Sequence, residues 1–474
     1  MLFSNVTVID GTGSAPFVGD VETEGQRIKS VRRTDAEGCG LALAPGFIDV
    51  HTHDDIQLLR TPDMAFKTLQ GVTSVVVGNC GISAAPEHDG APMKPTFPTM
   101  SAYFGALDDE PAAVNATVLL GHGAVRAAVM GLHENRAATR DELAAMSDHV
   151  AEALEAGVIG LSSGLAYEPG RYTGIDEMVE LVRLIADAGG IYTTHMRDEA
   201  TGLLDSIDES IAVAEATGAR LQISHLKASD KSVWGMVVPA LARIDQARDR
   251  GVDVMFDQYP YTRGSTLFDQ VVSSGALDGQ SQFGFLEPQD ILIASAPGHP
   301  EWEGLTLDQV AAAEGPQPRD MADRIASELN RRCVVILDRM SEDDVQTVMA
   351  HPQLIVGSDG VFGGSRPHPR LHHTYPRILG HYVRELGLLG LPQAVKAMTS
   401  TAAQRFGFAD RGVVAEGAFA DLVLFDPATI ADTGTYMNPT TVPKGIDGVW
   451  VNGVRVVEGG TITGERPGHT IRRN

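Results

Sequence analysis

The stretch Pro45-Gly-Phe-Ile-Asp-Val-His-Thr-His-Asp-Asp55 joins a short apolar run to a cluster of polar, metal-competent side chains. A strand buried on both faces should not end in histidine and aspartate without a reason, because burying such groups costs free energy. The same grammar recurs downstream. Further apolar runs rich in β-branched residues are VTSVVVGNC (72–80), ATVLLGHG (116–123), VIGLSSG (158–164), GIYTTHM (190–196), LQISHLK (221–227), DVMFDQYP (253–260) and LIVGSDG (354–360). Helical patterns separate them, as in DELAAMSDHVAEALEAG (141–157) and DEMVELVRLIADAGG (176–190). Strands alternating with helices imply a parallel sheet, and eight such units imply a closed (β/α)8 barrel. No GxGxxG opens a helix after an early strand, so a dinucleotide fold is not indicated.

Outside these units both chain ends look alike. VTVIDGTG (6–13), DVETEGQRIKSV (20–31) and LALAPG (41–46) are short β-like runs with turn signals. So are RGVVAEGAFADLVLFDP (411–427) and GVWVNGVRVVEGG (448–460), the latter with an Asn-Gly hairpin signal at Asn452 and Gly453. The expected organisation is a small β-sandwich from residues 1–44 and 411–474, around a barrel at 45–410. One interval breaks the barrel rhythm: residues 272–332 separate the seventh and eighth strands, too long for an ordinary loop. An insertion there sits beside the catalytic face of a barrel and is expected to act as a lid or to shape the substrate pocket.

The chain has 474 residues and a formal net charge of −25, from 37 Lys plus Arg against 62 Asp plus Glu. Such a surface repels nucleic acid and anionic membrane, and neither is expected as a partner. Cys39, Cys80 and Cys333 form no CxxC pair or disulfide framework, which fits a reducing compartment. With no leader pattern in MLFSNVTVIDGTG and no long apolar stretch, a cytoplasmic location is expected. Oligomeric state is left open.

The chemistry-bearing residues fall at the C-terminal ends of the strands, where barrel enzymes place their reacting groups. His51 and His53 alternate along an extended strand, so both point to one side as a chelating pair. Cys80 offers a soft thiolate that suits zinc and could bridge two ions. Cys39 and Cys333 read instead as small apolar residues. His195 and His225 end neighbouring strands, close enough to share a metal. Asp359 lies among glycines expected to let a substrate approach, and could hold metal or carry a proton. Taken singly, each of these residues also has a structural role available to it: a satisfied turn histidine, a buried thiol, a capping aspartate.

The motifs GNCGIS (78–83), SSGLAYEPGRYT (162–173), THMRDE (194–199), ISHLKAS (223–229), DQYPYTRGST (257–266), GSDG (357–360) and PHPRLHHTYPRILGHYVRE (367–385) resemble the N-acyl-D-amino-acid deacylases of the amidohydrolase superfamily. The resemblance covers almost the whole chain. It implies a tight zinc site at Cys80, His195 and His225, and a weaker metal site at His51 and His53 with Asp359 beside it as catalytic acid and base. It also implies hydrolysis of an N-acyl-D-amino acid to a carboxylate and a free D-amino acid. Dihydroorotases and hydantoinases differ by a carboxylated lysine on strand four. VIGLSSGLAYEPG (158–170) has no lysine, and Cys80 is the natural substitute bridge. Lys227 and Tyr259, with Ser265 nearby, resemble groups facing the substrate carboxylate. Tyr167 and Met340 resemble pocket walls, and Tyr167 could also donate to the oxyanion. Arg370 and Arg197 are alternative anion binders, or else members of structural ion pairs. Rival activities are hydrolysis of another amide, a cyclic amide or a D-peptide, and a non-catalytic barrel scaffold.

Overall fold

In a computed structural model describing residues 1–91 and 94–473, strand β1 (Leu2–Val8) pairs antiparallel with β2 (Phe17–Glu24), which pairs with β3 (Arg27–Arg33). In β1, Phe3, Val6 and Val8 are buried, a register shift between Phe3 and Val6 breaking the strict alternation. The short β4 (Ala42–Pro45) joins β1 in parallel and leads directly into the barrel.

The barrel strands are β5 (Phe47–Asp49), β6 (Val72–Val77), β7 (Asn115–Gly121), β8 (Gly160–Gly164), β9 (Ile191–His195), β10 (Arg220–Ile223) and β11 (Val254–Gln258). The eighth, β15 (Leu354–Val356), follows the insertion. Six lie within the runs expected from the sequence and β7 and β10 start one residue before theirs, and each pairs in parallel with its neighbour in the order β15-β11-β10-β9-β8-β7-β6-β5. A parallel bridge between Thr52 and Gly360 closes the ring, with the Asp359 amide donating to the His51 carbonyl at 2.8 Å. β5 to β8 are buried residue by residue, because helices cover the outside while opposing side chains fill the centre.

The helices begin and end where their caps dictate. Arg140–Ala156 starts on a reciprocal capping box between Thr139 and Glu142 and stops at Gly157, whose φ of 107° carries no Cβ penalty. Its buried Met146, Val150 and Ala153 are spaced by four and three, the interval that places side chains on one helical face.

The insertion is a subdomain wider than its expected bounds. β12 (Arg263–Leu267), β13 (Ile291–Ser295) and β14 (Val334–Asp338) form an antiparallel sheet with β14 in the centre. Helices Leu307–Glu314 and Pro318–Leu329 pack on it around Trp302, Phe268 and Phe283. Composition marked the interval as irregular, but β12 and β14 lie outside it because they extend from the strand ends that carry the insertion.

After the barrel come β16 (Leu422–Phe425), β17 (Ile446–Val451), β18 (Val454–Glu458) and β19 (Thr461–Ile462). Asn452 and Gly453, both at positive φ, turn β17 into β18 as the Asn-Gly signal requires. β16 pairs with β4, so both chain ends build one sheet ordered β19-β18-β17-β16-β4-β1-β2-β3. The sheet curls on itself: Ile28 donates to the Ala418 carbonyl, and Phe3 meets Trp450 edge-on with ring centroids 4.8 Å apart. The last residues then return to the barrel, where Thr470 bridges Ala116 of β7. Among the described residues no helix is long and apolar enough to cross a membrane.

Candidate active site

The strand ends converge on a cavity of about 670 Å3 at the C-terminal mouth of the barrel. His53, Cys80, His195, His225 and Asp359 line it, together with Tyr167, Lys227, Tyr259 and Ser265. His51 is fully buried beneath them.

Three of these residues adopt a left-handed backbone despite carrying a Cβ: Cys80 at φ 53°, His225 at φ 36° and Asp359 at φ 49°. Such conformations cost roughly 1–3 kcal/mol each and persist where the surrounding fold over-determines them. Here they turn each side chain inward just beyond its strand.

The donors form one connected cluster. Cys80 Sγ lies 3.2 Å from His51 Nε2 and 3.5 Å from His225 Nε2. Asp359 Oδ1 lies 3.3 Å from His53 Nε2 and 3.6 Å from His51 Nε2. His195 and His225 cross with ring centroids 4.4 Å apart. Three overlapping groups could each hold an ion: His51, Cys80 and His225; His51, His53 and Asp359; His195, Glu199 and His225. The six expected donors therefore lie in one cluster, with Glu199 as a further oxygen, although none of these groups joins Cys80 to both His195 and His225 as the expected tight site does.

The electrostatics favour a cation in their midst. Burial pushes the Cys80 thiol up, but the charge of His51 and the surrounding His195, His225 and His51 imidazoles hold it well below its ordinary value. Burial also opposes ionisation of Asp359, yet Arg370 and then His53 keep its carboxyl well below the usual range. Against its own burial, His53 is drawn up to about 9 by Asp359 and Cys80. Burial lowers His195, and neither of its ring nitrogens has a hydrogen-bond partner. A neutral imidazole with free nitrogens beside an ionised thiolate fits zinc.

Two carboxylates that the sequence reading passed over orient these ligands. Asp257 Oδ1 lies 3.1 Å from His51 Nδ1 and accepts the His225 amide at 2.9 Å. Glu199 Oε1 lies 2.9 Å from His225 Nδ1 and 2.7 Å from Lys227 Nζ. Partners of this kind fix ring orientation at metal sites. Asp257 carried a signal, a charged residue inside the apolar strand VMFDQ. Glu199 carried one too, four residues after His195.

Several expected contacts are placed differently. Arg197 does not line the cavity; its guanidinium spans both Glu209 oxygens, at 3.0 and 2.8 Å, and donates to the Arg171 and Thr173 carbonyls. Arg370 is fully buried and engages Asp359 Oδ2 at 3.0 Å, so the Asp359 carboxylate rather than a ligand holds it. Met340 stands behind Tyr259, whose hydroxyl donates to its Sδ at 3.8 Å. The glycines around Asp359 serve packing: a Cβ on Gly357 would sit 2.5 Å from His51 Cβ, and one on Gly360 2.7 Å from Leu371. Tyr167 stays in the cavity wall, its ring 4.6 Å from His195, with Thr266 donating to its hydroxyl at 3.4 Å.

A barrel mouth with this donor set invites comparison with known families, and the amidohydrolase family model matches residues 34–313 and 309–457. The chain belongs to the amidohydrolase family. Within it, the chain is 40% identical to D-aminoacylase of Alcaligenes xylosoxydans xylosoxydans, covering 100% of this chain and 97% of that one. It is 37% identical to N-acyl-D-aspartate deacylase of the same organism, covering 99% and 94%. The crystal structure of N-acyl-D-glutamate deacylase from Bordetella bronchiseptica, complexed with zinc and a phosphonate mimic of the tetrahedral intermediate, superposes with a TM-score of 0.91. It is 38% identical and covers 99% of both chains. The amidohydrolase thus sits in the N-acyl-D-amino-acid deacylase branch.

Proposed function

We propose that this amidohydrolase hydrolyses N-acyl-D-amino acids to a carboxylate and a free D-amino acid, with zinc as its metal. The observation that carries the reading is the position of Asp359. Its ionised carboxylate touches His53 on one side and Arg370 on the other, and faces the cavity. Cys80, His195 and His225 would hold the tight zinc, and His51, His53 and Asp359 a weaker second site. Bound zinc lowers the pKa of a water and polarises an amide carbonyl. Asp359 takes the proton of the attacking water and returns it to the leaving nitrogen. Tyr167, held protonated by burial, donates toward the developing oxyanion. Lys227, Tyr259 and Ser265 receive the α-carboxylate, and Glu199 fixes Lys227 for that task and orients His225 for the metal. The barrel insertion shapes the mouth of the cavity through Ser295, Pro297, Arg331 and Arg332. The protein's free cysteines fit a reducing, cytoplasmic location.

The test is turnover of N-acetyl-D-amino acids and their L-enantiomers by the zinc-loaded protein. Hydrolysis confined to the D series supports the reading. Equal rates on both series, or activity only on cyclic amides, would refute it.

A further inference from the structure

Five arginines are buried among the described residues, and four have a carboxylate partner. Arg126 pairs with Glu177 at 2.5 Å, Arg405 with Asp253 at 2.6 Å, Arg370 with Asp359 at 3.0 Å, and Arg411 with Asp421. Arg339 is the exception. It is 5% exposed, its Nε and Nη1 have no hydrogen-bond partner, and no carboxylate oxygen among the described residues lies within 4.0 Å of its guanidinium. Burying an unpaired charge is costly, so such a group calls for an anion that arrives from outside.

The fold holds Arg339 against the cavity. It follows the central insertion strand β14, and its carbonyl accepts from the Trp234 indole at 3.1 Å. The next amide, of Met340, donates to the Thr262 carbonyl. The guanidinium packs over Gly264, where a Cβ would stand 3.0 Å from Nη2. Its neighbour Ser265 lines the same cavity with an unpartnered hydroxyl.

A second observation points the same way. The protein is strongly acidic, but the cavity lining inverts that balance. Arg60, Lys94, Lys227, Arg331, Arg332 and Arg339 line it against Glu168, Asp359 and the Cys80 thiolate. A cationic funnel on an anionic protein concentrates anionic ligands at its mouth.

We propose that Arg339 binds a second carboxylate, on the substrate's side chain, and that the preferred substrates are N-acyl-D-amino acids with acidic side chains. The inference rests on the deacylase reading above, which assigns the α-carboxylate to Lys227, Tyr259 and Ser265. Overall identity does not decide the matter, since relatives named for D-amino acids generally and for D-aspartate are about equally similar. Arg339 supplies the distinction.

The experiment compares kcat/KM for N-acetyl-D-glutamate, N-acetyl-D-aspartate, N-acetyl-D-glutamine and N-acetyl-D-leucine, using zinc-loaded wild type, Arg339→Met and Arg339→Lys. Wild type should favour D-glutamate over the near-isosteric D-glutamine on the order of a hundredfold. In Arg339→Met that ratio should collapse towards one, chiefly through KM, while Arg339→Lys should retain part of it. Without substrate, Arg339→Met should melt no lower than wild type, because it removes an unpaired buried charge. An equal fall on all four substrates would assign Arg339 to the α-carboxylate and overturn the proposal, as would an unchanged ratio. Inactivity of wild type on every N-acyl-D-amino acid would refute the deacylase reading. Calorimetry with D-glutamate and D-glutamine would then still decide the role of Arg339: tighter D-glutamate binding, lost in Arg339→Met, supports it, and equal binding overturns it.

Discussion

Arg370 and Asp359 form an ion pair 3.0 Å long, with the arginine side chain wholly removed from solvent, and the same carboxylate lies 3.3 Å from His53. One aspartate thus faces the donor cluster with one oxygen and a fixed cation with the other. Arg370 holds it ionised and aimed, so it stands ready to accept a proton in the proposed reaction.

Asp359→Asn should therefore lower kcat by at least about a hundredfold, the loss expected when a general acid–base is removed. It should also lower stability by roughly 3 kcal/mol, because Arg370 is left buried without its counter-charge. Adding Arg370→Met should restore the melting temperature without restoring kcat. Zinc content, melting temperature and kcat measured on one preparation separate these effects. Near-normal kcat would end the catalytic assignment, and loss of the tight zinc would make Asp359 a ligand first.

Replacing Cys80 should cost metal and activity together. Cys80→Ala keeps the Cβ at a left-handed position, while Cys80→Gly relieves it. Both should lose stoichiometric zinc by elemental analysis, since the thiolate is what they share in lacking. A zinc-loaded, active variant of either kind would remove Cys80 from the site.

The insertion can be removed cleanly, because Leu267 of β12 lies directly opposite Val334 of β14. Replacing residues 268–333 by an Asn-Gly turn should close a two-stranded hairpin. The barrel should stay folded and bind zinc, while kcat/KM should fall on the order of a hundredfold as the cavity wall is lost. Unchanged kinetics would make the subdomain a decoration.

Glu177 offers a pH test away from the metal donors. It lies 2.8 Å from His122 Nε2 and 2.5 Å from Arg126 Nη1. Burial raises its carboxyl, but His122 and then Arg126 outweigh that and lower it below its ordinary value near 4.5. A carboxyl lowered in the folded state adds stability above its unfolded value, and that stability is lost as pH falls through the folded value. Glu177→Gln should thus be destabilised by about 3 kcal/mol at pH 7. The gap to wild type in denaturant melts should narrow steadily below about pH 4.5. A gap independent of pH would show that packing, not charge, holds this corner.

Much of this was legible in the chain because the barrel writes its chemistry into short, local signals. The alternation of β-branched runs with helical patterns marks all eight strands, and five of them end in polar residues such as HTH, GNC or GSDG that expose the site to inspection. Arg339 left no such mark: an arginine after VVILD looks like any solvated strand end, and only three-dimensional packing shows that no carboxylate meets it. Arg197 misled for the converse reason. It follows His195 by two residues, yet its partner Glu209 lies twelve residues on, and proximity in sequence did not reveal which way it turns. The left-handed backbone at Cys80, His225 and Asp359 was invisible too, because none of them is glycine.

The pairing of β4 with β16 bears on how the chain is made. Translation delivers β1 to β4 some 380 residues before β16. During that interval β4 has β1 on one side and an open edge on the other. An unpaired edge is a template for strands of other chains. The nascent protein must therefore complete the barrel with that edge exposed, so aggregation on the ribosome should be greatest just before β16 emerges and should fall once it docks.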